Sequence, residues 1–206
     1  MSIVKLNNRG VKNATAFGSG VTSLGSMTFI KKLTASSSST LSFVDGSSSV
    51  VLDNTYKEYV FTFNNMHPSN DTSSFGVNFR DGGTDYDAVK TTSYFDSYHT
   101  ENDATAGSGY STSADLAQST GFQYLIYNIG NANDESASGF LHLFNPSSTT
   151  FVKHFVSRMN EVRDTDASIE VYVGGYCNTT SAIDGVQFKM SSGNIDSGDI
   201  CLYGIN

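Results

Sequence analysis

Three carboxylates crowd one glycine-rich stretch of this sequence, Asp81-Gly-Gly-Thr-Asp85-Tyr-Asp87. Oxygen ligands from such a loop suit Ca²⁺, so Asp81, Asp85 and Asp87 make a weak calcium candidate. The stretch lacks the Asp-x-Asp-x-Asp-Gly order and the distal bidentate Glu of an EF-hand. Turn formation explains the same residues more simply, and Asn131-Ala-Asn-Asp-Glu135 reads the same way. The four histidines, His67, His99, His142 and His154, show no His-x-x-x-His spacing. His142 and His154 alternate with apolar neighbours, which marks wet-face or hydrogen-bonded side chains rather than ligands. Cys177 and Cys201 fall in predicted strands outside any CxxC spacing. They read as two small buried hydrophobes, with a disulfide between neighbouring strands the lesser reading.

Nucleophile signatures are missing as well. There is no Gly-x-Ser-x-Gly elbow, and Gly18-Ser-Gly20 lacks the strand-turn-helix setting of a phosphate cradle. A polysaccharide-cleaving enzyme needs two carboxylates about 5 to 10 Å apart across a cleft, and among 20 acidic residues the sequence singles out no pair. The expectation is therefore no catalytic residue, no metal and no cofactor. Glycan contact is harder to set aside, because exposed Tyr faces bordered by Asn and Asp are what sugar stacking requires. Tyr86, Tyr98 and Tyr110 are the candidates, although Trp, the strongest stacking residue, is absent.

The elements that must position these residues are strands. Val186, Phe188 and Met190 alternate with Gln187 and Lys189, the period of a strand with one buried face. After a Ser/Gly/Asn/Asp link, Asp199–Ile205 is apolar on both faces, as inside a sandwich. Similar segments are expected at 27–34, 40–44, 50–52, 58–63, 75–79, 91–98, 139–144, 151–156 and 168–173, with 122–129 either a strand or a short helix. Asn64-Asn65 and Pro68 should end the 58–63 strand. Residues 100–113 read as the longest loop, and 113–119 as a single helical turn behind a Ser cap. About ten short strands with turn chemistry between them indicate an all-β antiparallel sandwich, jelly-roll-like. The single domain runs over 27–206 and is preceded by an extended N-terminal arm, residues 1–26.

Composition sets the outer bounds. The 206 residues fit one all-β domain, and 14 Phe with 11 Tyr can fill a core with few side chains. No apolar run approaches the roughly 20 residues of a membrane span, so no membrane insertion is expected. Nor does the N-terminus read as a secretory signal, which implies synthesis in a cytoplasm. The net charge of -8 hides an asymmetry. Residues 1–44 hold five basic residues and no acid, a net of +5, and the remainder holds 7 basic and 20 acidic residues, a net of -13. The basic charges are either solvated, paired with the body of the same chain, or used as an anchor on an acidic neighbour such as another copy. In the last case Lys5, Arg9, Lys12 and Phe17 are the anchoring residues. Nucleic acid is disfavoured as a partner, because phosphate would repel the acidic body.

Several stretches resemble those of small proteins from tailed phages of marine bacteria, notably cyanobacteria. They are Phe79-Arg-Asp-Gly-Gly83, Asp115-Leu-Ala-Gln-Ser-Thr-Gly121, Asn133-Asp-Glu-Ser-Ala-Ser-Gly139, Phe144-Asn-Pro-Ser-Ser-Thr-Thr-Phe-Val-Lys-His154, Gly175-Tyr-Cys-Asn178, Ala182-Ile-Asp-Gly-Val-Gln-Phe188 and Leu202-Tyr-Gly-Ile205. The resemblance implies a place on or near the virion and supplies no catalytic residue. The combined expectation is a non-enzymatic virion component of the surface decoration, cement or fibre type. Its partners would be other virion proteins and copies of itself, arranged by symmetry, as trimers for example. Two alternatives are a host-adsorption module gripping cell-surface glycan and a polysaccharide-cleaving enzyme with paired carboxylates.

Overall fold

The computed structural model describes residues 27–206 of the chain. The proposed arm, 1–26, with Lys5, Arg9, Lys12 and Phe17, lies outside them. Twelve strands and no helix occur among the described residues: β1 (Met27–Thr34), β2 (Leu41–Val44), β3 (Glu58–Pro68), β4 (Ser73–Arg80), β5 (Lys90–Thr100), β6 (Ala106–Tyr110), β7 (Gln123–Ile129), β8 (Ala137–Phe144), β9 (Lys153–Arg163), β10 (Ala167–Cys177), β11 (Gly185–Met190) and β12 (Ile195–Ile205). The all-β reading is correct.

Every pairing is antiparallel. One run of ladders follows the order β1-β12-β3-β8-β9-β10-β5-β6. A shorter run follows β7-β4-β11-β2. A single pair, Ile129 with Arg163, joins β7 to β9 and makes one sheet that is nearly closed into a barrel. Opposite walls meet through rings carried on alternate residues, since only every second side chain of a strand points inward. Phe188 of β11 lies at the centre, 5.2 Å from Phe63 and 5.4 Å from Phe61 of β3 across the interior. On its own wall it lies 6.3 Å from Phe43 and 5.7 Å from Phe75. Edge-to-face contacts among such rings add to the burial of their large apolar area.

Four local expectations are corrected. β3 continues past Asn64-Asn65 to Pro68, because Asn65 adopts φ 51° and absorbs an irregularity in the register between Phe63 and Met66. Val50 and Leu52 form no strand and instead plug the core from a turn held by Leu52 N–H donating to Asp45 Oδ1 at 2.8 Å. Residues 100–113 are not one long loop, because β5 runs on to Thr100 and turns back into β6.

Residues 113–119 make no helical turn. Buried side chains on the neighbouring strands take up that backbone in place of helical bonds: Leu116 N–H donates to Thr92 Oγ1 at 2.8 Å, and Gln123 Nε2 donates to the Ala114 carbonyl at 3.0 Å. The segment covers the outer side of β4, so Ser74 and Asn78 are buried there although they point away from Phe75, Val77 and Phe79. The ambiguous 122–129 stretch is a strand, β7. The closing limbs β11 and β12 do not pair with each other; β11 lies between β4 and β2, and β12 between β1 and β3.

Candidate functional site

Period-two alternation decides which side chains of the long run face outward. In β9, Lys153, Phe155, Ser157, Met159 and Glu161 point in, while His154, Val156, Arg158 and Asn160 point out. The ladder registers carry the outward set from strand to strand. One row runs Phe140, Arg158, Tyr172, Phe95, Tyr110 across β8, β9, β10, β5 and β6. A second runs Phe29, Tyr203, Val60, His142, Val156 across β1, β12, β3, β8 and β9.

These rows are preformed by mutual contact, as cross-strand aromatic pairs are. The Phe95 and Tyr172 rings stack 5.0 Å apart at 9°, and the Arg158 guanidinium lies 5.3 Å over Tyr172. Glu170 pairs with Arg158 and fixes the direction of its fork. Phe29 meets Tyr203 edge-on at 5.6 Å, and Phe140 meets His142 at 5.1 Å. His142 Nδ1 also contacts the Glu58 carboxylate. Much of this ring area stays wet: Phe29 is 56% exposed, Tyr110 55% and Phe95 47%. The sheet is thus apolar toward the core and again along two stripes of its outer side, which single scattered hydrophobes would not produce.

A cleft of about 480 Å³ opens on the shorter run, where Gly76 leaves room above β4. Asp115, Phe122, Tyr124 and Lys189 line it, with Lys189 Nζ 4.2 Å from the Phe122 ring centre. The Tyr110 hydroxyl donates to Asp115 Oδ2 at 2.6 Å, and Asp115 holds the phenol pKa above its ordinary value. Asp115 is the one carboxylate of the lining among the described residues.

The three tyrosines singled out in the sequence are not brought together. Tyr86 is half-buried beside Gly185 and Arg80. Tyr98 and Tyr110 share the β5–β6 hairpin on opposite faces, Tyr98 against Gly107 and Tyr110 against Phe95. Among the described residues no three His, Cys, Asp or Glu side chains gather as a metal would require, and Asp81, Asp85 and Asp87 form no such group. His142 and His154 do face outward, on the long run. Cys177 and Cys201 are both buried and free, and burial pushes the Cys177 thiol pKa up to about 12.

The outer rows escaped the sequence reading for a definite reason. In β9 the inward set includes Lys153, Ser157 and Glu161 and the outward set includes Val156, so polarity does not mark the faces. The usable signal was in β8 and β10, where Phe140 and Tyr172 fall out of phase with Leu141 and Val171. Comparison with protein-family models, with curated proteins and with solved structures finds no match to this chain.

Proposed function

We propose that this chain is a non-enzymatic structural component of a tailed-phage virion, of the decoration, cement or fibre type. Neighbouring subunits cover the outer face of its long strand run. The observation that carries this reading is the pair of cross-strand aromatic rows. Exposed Phe and Tyr around a positioned Arg are the composition that protein interfaces enrich at their centres. The outer face of a sheet suits a protein partner better than a small ligand, which takes an enclosed concave site.

We read the fold as a jelly-roll-like β-sandwich. Its support is the nesting of the pairings: β1 with β12, β2 with β11, β3 with β8, β4 with β7. The orders β1-β12-β3-β8 and β2-β11-β4-β7 are those of two interlocked Greek keys. On this reading β5, β6, β9 and β10 are insertions that widen the first layer and carry most of the Arg158 row.

Residues 1–26, with Lys5, Arg9, Lys12 and Phe17, anchor the protein on an acidic neighbour, and repetition on the particle multiplies a modest contact. Copies made in the host cytoplasm assemble symmetrically, as trimers for example. Phe140→Ser with Tyr172→Ser tests the reading. The double variant should still fold, with a melting temperature lowered by the lost ring contacts, and be lost from purified particles; normal incorporation would refute the role of this face.

The cleft favours one second reading, host adsorption, since Phe122, Tyr124 and Asp115 offer ring faces beside a carboxylate. Saturable binding of host envelope polysaccharide, abolished by Phe122→Ala, would support it. Release of reducing ends from that polysaccharide would overturn the non-enzymatic reading altogether.

A further inference from the structure

Lys90 opens β5 and has no exposed surface. Its Nζ donates to Asn78 Oδ1 at 2.5 Å and to the Ala88 carbonyl at 2.8 Å. Among the described residues no carboxylate is a hydrogen-bond partner of Lys90, and a buried ammonium without one is costly. Burial accordingly brings the Lys90 pKa down to about 8, against the upward pull of Cys177, Asp87 and Asp81. Cys177 lies directly opposite on β10 and has Lys153 on its other side.

Asn78 on β4 is 1% exposed. Its Oδ1 also accepts the Phe79 N–H at 2.9 Å, while Nδ2 donates to the Thr120 carbonyl at 2.9 Å. These contacts fix which end of the amide faces the lysine. A carbonyl bond of about 1.23 Å puts a nitrogen 2.5 Å from the oxygen no farther than about 3.7 Å from Cγ. That reaches toward the separation of about 3 to 3.5 Å from which bound groups react.

We propose that Lys90 and Asn78 form an intramolecular isopeptide bond. The neutral amine attacks Asn78 Cγ, and the charge developing on Oδ1 is met by the Phe79 N–H, an oxyanion contact. One Nζ proton passes to Nδ2, the Cγ–Nδ2 bond breaks and ammonia leaves. The product is a secondary amide, and no oxidant, metal or cofactor is consumed. β4 and β5 belong to different ladder runs and share no strand pairing, so the bond ties the two runs covalently. This inference is independent of the particle role.

The test is the intact mass of the full folded chain, fresh and after incubation near pH 9, where the amine is neutral. The mass should fall by one ammonia. Trypsin should no longer cut after Lys90, and a branched peptide should join the segment holding Asn78 to the segment holding Lys90. Lys90→Met and Asn78→Ala should each keep the mass of their sequence, and chain held unfolded in urea should lose nothing. An unchanged mass with normal cleavage after Lys90 would overturn the proposal. So would ammonia loss with that cleavage intact, which is the mark of a backbone succinimide.

Discussion

Glu161 is the inward residue near the end of β9, and neither of its carboxylate oxygens meets a donor among the described residues. Arg163 Nε stands 3.9 Å off, too far to hydrogen-bond. Burial pushes the Glu161 pKa up to about 8, with Arg163 pulling the other way. The folded chain therefore keeps a proton that the unfolded chain releases above the ordinary value of 4.5. Stability from this group is complete below that value and is lost as pH rises toward about 8. Glu161→Gln should remove the slope and raise stability at pH 8 by about 1 to 3 kcal/mol. Urea titrations at pH 5 and pH 8 measure it, and a variant with the parent's slope would contradict the assignment. The cysteines give a second check at this scale. A thiol reagent at neutral pH should label neither Cys177 nor Cys201 in the folded protein and both in urea, because both side chains are buried and, at Cys177, burial also disfavours the thiolate.

At the scale of the strand, close approach matters more than propensity. A Cβ on Gly139 of β8 would lie 2.3 Å from the Arg158 carbonyl oxygen and 2.8 Å from Met159 Cα, both backbone atoms of β9. Gly139→Ala should cost about 1 to 3 kcal/mol in urea denaturation; a neutral result would mean that β8 and β9 pack less closely. Strands were legible in the sequence where inward and outward residues differ in polarity, as in Leu41–Phe43 and Val186–Met190. They were misread where a bulge or a side-chain bond replaced the regular signal. Asn65 looked like a stop because its left-handed backbone is turn chemistry, yet here it serves a bulge inside β3. Ser113–Ser119 looked helical because its partners Thr92 and Gln123 lie on other strands, and no local pattern announces them. The Lys90–Asn78 contact was hidden for the same reason: a lysine in a Thr-rich stretch reads as solvated until tertiary packing covers it.

For the whole molecule, the walls depend on one ring. Phe188 touches Phe43, Phe61, Phe63 and Phe75 on three other strands, so Phe188→Ala should cost about 3 to 5 kcal/mol. The charge asymmetry and the all-β class were readable from composition and turn spacing alone. The outer aromatic rows were not, since they exist only once register sets Phe140 beside Arg158 and Tyr172. Those rows are also where the functional account is most exposed to test. A reconstruction of an intact particle, with this chain fitted into its density, gives the most direct reading. A neighbouring subunit should be seated over Phe29, Phe140, Arg158 and Tyr172. Density showing that face open to solvent on every copy, or no copy of the chain on the particle, would contradict it.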